Sequence, residues 1–180
     1  MISAAVPPGA DRLASAGVTL SGTGAQADLF YEDLTPGRLF DLGVTVVDEA
    51  EMLAFARRYD PQWYHVDEAL AAESAYGAPI ASGFFTVSLF MRAYVDHLLS
   101  RAAAAASPGM EELRWTAPVY AGDHLAISLE VVQRDLSRAR PGFGTVTLAA
   151  VMTRLGPGGD PEGDVLRTRF RGWFALRPAE

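Results

Sequence analysis

The 180 residues contain no cysteine, no lysine and no asparagine, and only three histidines. Each absence removes chemistry. Without cysteine there is no thiolate nucleophile, disulfide, iron–sulfur cluster or thiolate zinc site. Without lysine there is no Schiff base and no phosphate-loop lysine. His65, His97 and His124 do not fall at metal-helix spacing, so a zinc or iron enzyme is not expected. All 15 basic residues are arginine, and 22 acidic residues outnumber them, for a net charge of -7. That balance argues against nucleic-acid binding, which runs on clustered cations. The longest apolar stretch, ASGFFTVSLFMRAYVDHLLS, is interrupted by Arg92, Asp96 and His97, so no membrane span is expected. With no cysteine and no basic-then-apolar leader at the start, the expected location is the cytoplasm.

What remains has an ordinary globular balance, 49% apolar and 21% charged, in a length that suits one domain. Residues 1–28 are rich in Ala, Gly, Ser, Thr and Pro and lack the spaced large apolar groups that offset ordering entropy. They are expected to form a flexible N-terminal arm, or an arm that docks on a neighbouring subunit, ahead of a single domain over 29–180.

Within that domain, GVTVV at 43–47 reads as a strand. Asp48, with Glu51 three residues on, opens a helix whose apolar face is Met52, Phe55, Ala56 and Tyr59. Pro61 stops it at Asp60, because proline disfavours helical geometry in the residue before it. A short helix follows from Asp67 to about Ser74, and a long one from Gly83 to about Ala106. The first half of the long helix is apolar nearly all round, which predicts that protein surrounds it. Alternating patterns then predict strands near 112–118, 124–136, 143–154 and 164–177, joined without helices as an antiparallel meander. One buried helix and such a sheet imply an α+β fold in which the sheet curls around the helix.

The stretch RYDPQWYHVD mixes titratable groups with aromatic rings. Asp60 and His65 lie on the segment after the helix stop, where a loop can fold back so that both face one water. A carboxylate and an imidazole so placed form an acid–base pair. The plainer reading, a helix-end Asp and a half-buried loop His, stays open at this level. Gly83 opens the long helix, where orphan amides attract developing negative charge and a glycine permits close approach. Tight packing alone would also explain it. Ser82 is expected to be a helix cap and not a nucleophile, since the glycine pattern of a nucleophile elbow is missing. Trp63 and Tyr64 are either acyl-pocket walls or core plugs. His97 and His124 are expected at the surface, and Asp67 as a helix cap.

FARRYDPQWYHVD, YGAPIASGF and WTAPVYAGDHL together resemble the MaoC-type dehydratases, relatives of the R-specific enoyl-CoA hydratases. The resemblance covers roughly residues 29–177. It implies the hot-dog fold, an antiparallel β-sheet wrapped around a long central helix. The family's D-x-N-P-x-H motif is matched at Asp60 and His65, with Gln62 and Trp63 in place of its Asn and the Pro that follows it. Ser82-Gly83 stands where the family usually has His-Gly, and Pro118, Val119, Gly122 and Asp123 match its P-V-x-x-G-D turn. The implied reaction is reversible hydration of a 2-enoyl-CoA to a 3-hydroxyacyl-CoA. Asp60 and His65 would be the catalytic pair, and the Gly83 amide would bind the thioester carbonyl. Ser82, Gln62, Trp63 and Tyr64 would lie beside the substrate, with Trp63 narrowing the pocket against long chains. The implied partner is the acyl-CoA thioester; no metal or organic cofactor is implied, and the assembly is a homodimer or a higher homo-oligomer. Acyl-CoA thioesterase and a non-catalytic acyl-CoA-binding protein are the competing expectations.

Overall fold

The computed structural model describes residues 27–138 and 140–178. Residues 1–26, which hold most of the expected arm, lie outside the described residues. At its end, the backbone N–H of Asp28 donates to the Arg101 carbonyl at 3.0 Å, and its carboxylate meets the Arg101 guanidinium at 3.0 Å.

Among the described residues five strands form one antiparallel sheet: β1 (Leu39–Val46), β2 (Gly109–Trp115), β3 (His124–Leu136), β4 (Phe143–Leu155) and β5 (Pro161–Ala175). Their order across the sheet is β1-β3-β4-β5-β2. The β3–β4–β5 hairpins are the expected meander, but β2 is not its first member. β1 pairs along β3 from Leu39↔Glu130 to Val46↔His124 and occupies that edge. β2 therefore crosses to the open edge of β5, with Trp115 opposite Leu166.

Alternation decides which face meets the core. Leu125, Ile127, Leu129 and Val131 of β3 and Val146, Leu148, Ala150 and Met152 of β4 are all buried. Residues at every second position share one face of a strand, so two rows of apolar side chains meet whatever lies inside the curl. Each such Leu, Ile or Val stabilises the fold by about 1.5–3 kcal/mol relative to exposure.

What lies inside is the long helix. Four α-helices are present among the described residues: α1 (Glu49–Tyr59), α2 (Trp63–Val66), α3 (Glu68–Glu73) and α4 (Gly83–His97). α4 buries Phe85, Phe90, Ala93 and Tyr94 against the sheet, and Phe170 of β5 sits edge-on to Phe90 and Tyr94 with centroids 5.6 and 5.4 Å away. This is the sheet-around-helix arrangement of the hot-dog fold. None of the described helices is long and apolar enough to cross a membrane.

Two expectations about α4 are corrected. It ends at His97, not near Ala106. Leu98 leaves helical geometry (φ -131°), a 3-10 turn follows at Leu99–Arg101, and Ala102 and Ala104 form bridges to Leu29 and Phe174. Alanine is the best helix former, but intrinsic propensity is small beside tertiary pairing, and backbone bridges to the sheet outweigh it. Nor does protein surround α4 within this chain: Phe84 is 62% exposed, Met91 44% and Val95 38%. They form one uncovered apolar stripe along a helix whose other face is packed.

Candidate active site

α1 places the acid. Asp48 caps it, its Oδ1 accepting the Glu51 N–H at 2.8 Å, and Pro61 ends it as expected. Asp60 is the C-terminal cap, with φ -147° and its N–H on the Ala56 carbonyl at 2.9 Å. The segment after it is not all loop. Trp63–Val66 coils into the single turn α2, and the His65 N–H donates to the Gln62 carbonyl at 2.8 Å. That turn swings the imidazole back toward the helix end. His65 Nε2 stands 3.3 Å from Asp60 Oδ2, with the His side chain 6% and the Asp side chain 26% exposed.

The tautomer of His65 follows from its other nitrogen. Nδ1 lies 2.7 Å from the Ile80 carbonyl oxygen. A carbonyl can only accept, so Nδ1 carries the proton. In the neutral ring Nε2 then presents a lone pair on the side of Asp60, which fits it to take a proton there.

Asp60 is held as an anion by two donors. The Ser82 hydroxyl donates to Oδ2 at 2.7 Å and the Gln62 amide to Oδ1 at 3.2 Å. The Ser82 bond is the main influence holding Asp60 below the ordinary aspartate range; burial opposes it, Gln62 adds to the lowering, and so does the His65 ring when it is protonated. Hydrogen bonds to a carboxylate favour its charged form. Ser82 is fully buried at the N-cap position of α4, yet its side chain makes no capping bond. The expectation of a helix cap is corrected: the side chain is turned so that its hydroxyl donates to the ionised Asp60 carboxylate, a strong charge-assisted bond, and no first-turn N–H donates to its oxygen.

Gly83 begins α4, and its first-turn amides have no partner within the helix. The glycine is also required by packing. A Cβ at position 83 would lie 2.5 Å from the indole of Trp115, whose Nε1–H donates to the Gly83 carbonyl at 2.9 Å. Both readings of Gly83 therefore have a physical basis in one place. Trp115 carried no functional signal in the sequence, where it is one more aromatic in a strand.

These groups line a cavity of about 560 Å³ that includes Asp60, Tyr64, His65, Gly83, Thr86 and Trp115. A second recess, about 550 Å³, also reaches Asp60 and is lined by Phe55, Tyr59, Gln62, Ser82 and Phe84. Trp63 lines neither; it is 45% exposed and packs edge-on to Tyr64 at 5.2 Å. His97 and His124 are exposed, and Asp67 caps α3 through the Leu70 N–H at 3.0 Å.

A family model described as MaoC like domain matches residues 11–152. The chain belongs to the MaoC-like family. A MaoC-like dehydratase from Rhodospirillum rubrum shares 32% identity and superposes with a TM-score of 0.70 over 84% of this chain and 99% of its own. An (R)-hydratase from A. caviae involved in PHA biosynthesis is 25% identical, with a TM-score of 0.61 over 81% of this chain and 99% of its own. The Bacillus subtilis protein YdeM is 28% identical over 118 residues, 66% of this MaoC-like chain and 84% of the relative.

Proposed function

We propose that this MaoC-like protein reversibly hydrates a 2-enoyl thioester of coenzyme A to the 3-hydroxyacyl thioester. The observation that carries the reading is convergence: Asp60 Oδ2 and His65 Nε2 lie 3.3 Å apart on a cavity that Gly83, the first residue of α4, also lines. A water donating its hydrogens to Asp60 and to the Nε2 lone pair turns an oxygen lone pair toward C3. As that oxygen bonds to C3, the Asp60 carboxylate takes one water proton and the C2=C3 electrons move through C2 to the thioester oxygen. The Gly83 amide stabilises that enolate; losing one such donor costs roughly 3–4 kcal/mol of transition-state stabilisation. That proton then passes from Asp60 through His65 Nε2 to C2, so the elements of water are added and the pair ends in its starting state. Conjugation with the thioester already makes C3 electrophilic, so the reaction needs no cofactor. Gln62 and Ser82 act on this reading by holding Asp60, and Tyr64 as a wall.

The uncovered stripe of Phe84, Met91 and Val95, with the free edges of β1 and β2, supports pairing of two copies into a homodimer. The function is tested with crotonyl-CoA. Loss of enoyl absorbance without thiol release is expected. Thiol release would instead mark a thioesterase, and binding without either change an acyl-CoA-binding protein.

A further inference from the structure

The turn Pro118–Asp123 takes no part in the proposed chemistry, yet it is braced from both sides. Arg154, near the end of β4, donates through Nε to Asp123 Oδ2 at 3.0 Å, and its Nη2 lies 2.8 Å from the same oxygen. Nη2 also donates to the Pro118 carbonyl. Asp123 Oδ2 accepts the Tyr120 N–H at 2.9 Å as well. Gly122 has φ +81°, a region where a side chain is strained, and its N–H donates to the Val47 carbonyl at 2.9 Å. The Val47 N–H returns a bond to the Asp123 carbonyl at 2.9 Å.

The braced turn is a backbone template for the segment next to the site. The Ala81 N–H donates to the Val119 carbonyl at 2.7 Å, and Ile80 forms an antiparallel bridge with Tyr120. Ile80 in turn supplies the carbonyl that receives Nδ1–H of His65 at 2.7 Å. A continuous run of bonded groups thus leads from the β4 guanidinium to the imidazole.

We propose that Arg154 and Asp123 are positioning residues, which act through the Pro118–Asp123 turn and the Ile80–Ala81 segment to hold the carbonyl that sets the tautomer and ring plane of His65. The kinetic consequence rests on the proposed acid–base role of His65; the consequence for the ring itself does not. Their side chains are 22% and 16% exposed, so deleting either leaves the other a mostly buried charge without its ionic partner, and deleting Arg154 also takes the donor from the Pro118 carbonyl. The turn then relaxes, and Ile80 moves with it.

The test is Arg154→Met in the full chain with ¹⁵N-labelled histidine, the His65 signals being assigned by their loss in His65→Gln. The ring nitrogens of the wild type are expected to show the Nδ1–H form, and those of Arg154→Met a mixture of tautomers. Turnover of crotonyl-CoA is expected to fall roughly 10- to 100-fold with KM near that of the wild type, the signature of misplacement and not of lost binding. Arg154→Lys, which keeps the charge and only part of the bonding, should fall between. Val131→Ala, in the buried face of β3, serves as a destabilised control with unchanged ring shifts. If Arg154→Met loses stability but keeps wild-type nitrogen shifts, the brace is only structural and the proposal is overturned. Should that variant not fold, Asp123→Asn gives the second reading: a smaller tautomer shift supports the relay, and none overturns it. A wild type that hydrates no enoyl thioester defeats the functional reading, while the nitrogen shifts still decide this one.

Discussion

The hydroxyl of Ser82 donates to Oδ2 of Asp60 across 2.7 Å, and the same oxygen faces His65 Nε2 at 3.3 Å. One carboxylate oxygen is thus shared between a buried donor that keeps it charged and a ring that works with it. Removing the donor should therefore change when the carboxylate titrates before it changes the fold. In Ser82→Ala the largest lowering influence is gone while burial, which raises the value, remains. Asp60 is expected to titrate at higher pH, so the acid limb of kcat/KM moves upward. The stability that Asp60 contributes is full above the ordinary aspartate value of 3.8 and is lost as pH falls through its lower folded value. Ser82→Ala should shrink that acid-sensitive contribution. Titration of the Asp60 carboxyl carbon by NMR checks both, and an unmoved midpoint would remove Ser82 from the account.

Asp60→Asn and His65→Gln keep side-chain size while deleting proton-transfer capacity. Each is expected to lower hydration of crotonyl-CoA by roughly 100- to 10,000-fold, the usual worth of positioned proton transfer. The two losses should not add, because the groups act on one water. Circular dichroism should report an unchanged fold. Full turnover in both variants would refute the assignment of the site.

Gly83→Ala places a methyl where the indole of Trp115 already lies, 2.5 Å from the nearest ring atom. Overpacking of this kind costs roughly 1–3 kcal/mol. Trp115→Ala opens that space. In a double-mutant cycle read by urea unfolding, the pair should be less destabilised than the sum of the single changes. Simple additivity would mean that Gly83 is not held by this contact.

Met91→Glu puts a charge in the middle of the uncovered α4 stripe, between Phe84 and Val95. In the free chain the site is already 44% exposed, so stability of the monomer should hardly change. Sedimentation should show the proposed homodimer shifting toward monomer. An unchanged assembly would place the interface elsewhere.

Much of the fold was legible because it follows from local rules. The Asp48 cap and the Pro61 stop are visible within a few residues. The period-two rows of β3 and β4 lie where alternation placed them. The candidate acid and imidazole were found for the same reason, since a helix stop and five residues of chain bring them near each other. The failures share a cause as well. Ala102–Ala106 favours helix locally, but bridges to Leu29 and Phe174 draw it to the sheet. β2 matches any free antiparallel edge, and only the occupancy of β3 by β1 sends it to β5.

The sequence by itself determined most of the helix and strand segments, where α1 must end, and that a carboxylate and an imidazole follow that end. The tertiary structure alone decided that Ser82 serves Asp60 and not its own helix. It alone decided that Ile80 sets the His65 tautomer, and that Trp115 rests on Gly83. The physical reason is range. Backbone preference and hydrophobic period act over a turn or two, whereas these contacts join residues 22, 15 and 32 positions apart. Such contacts exist only after the sheet has closed around α4 and excluded the water that would otherwise satisfy each group.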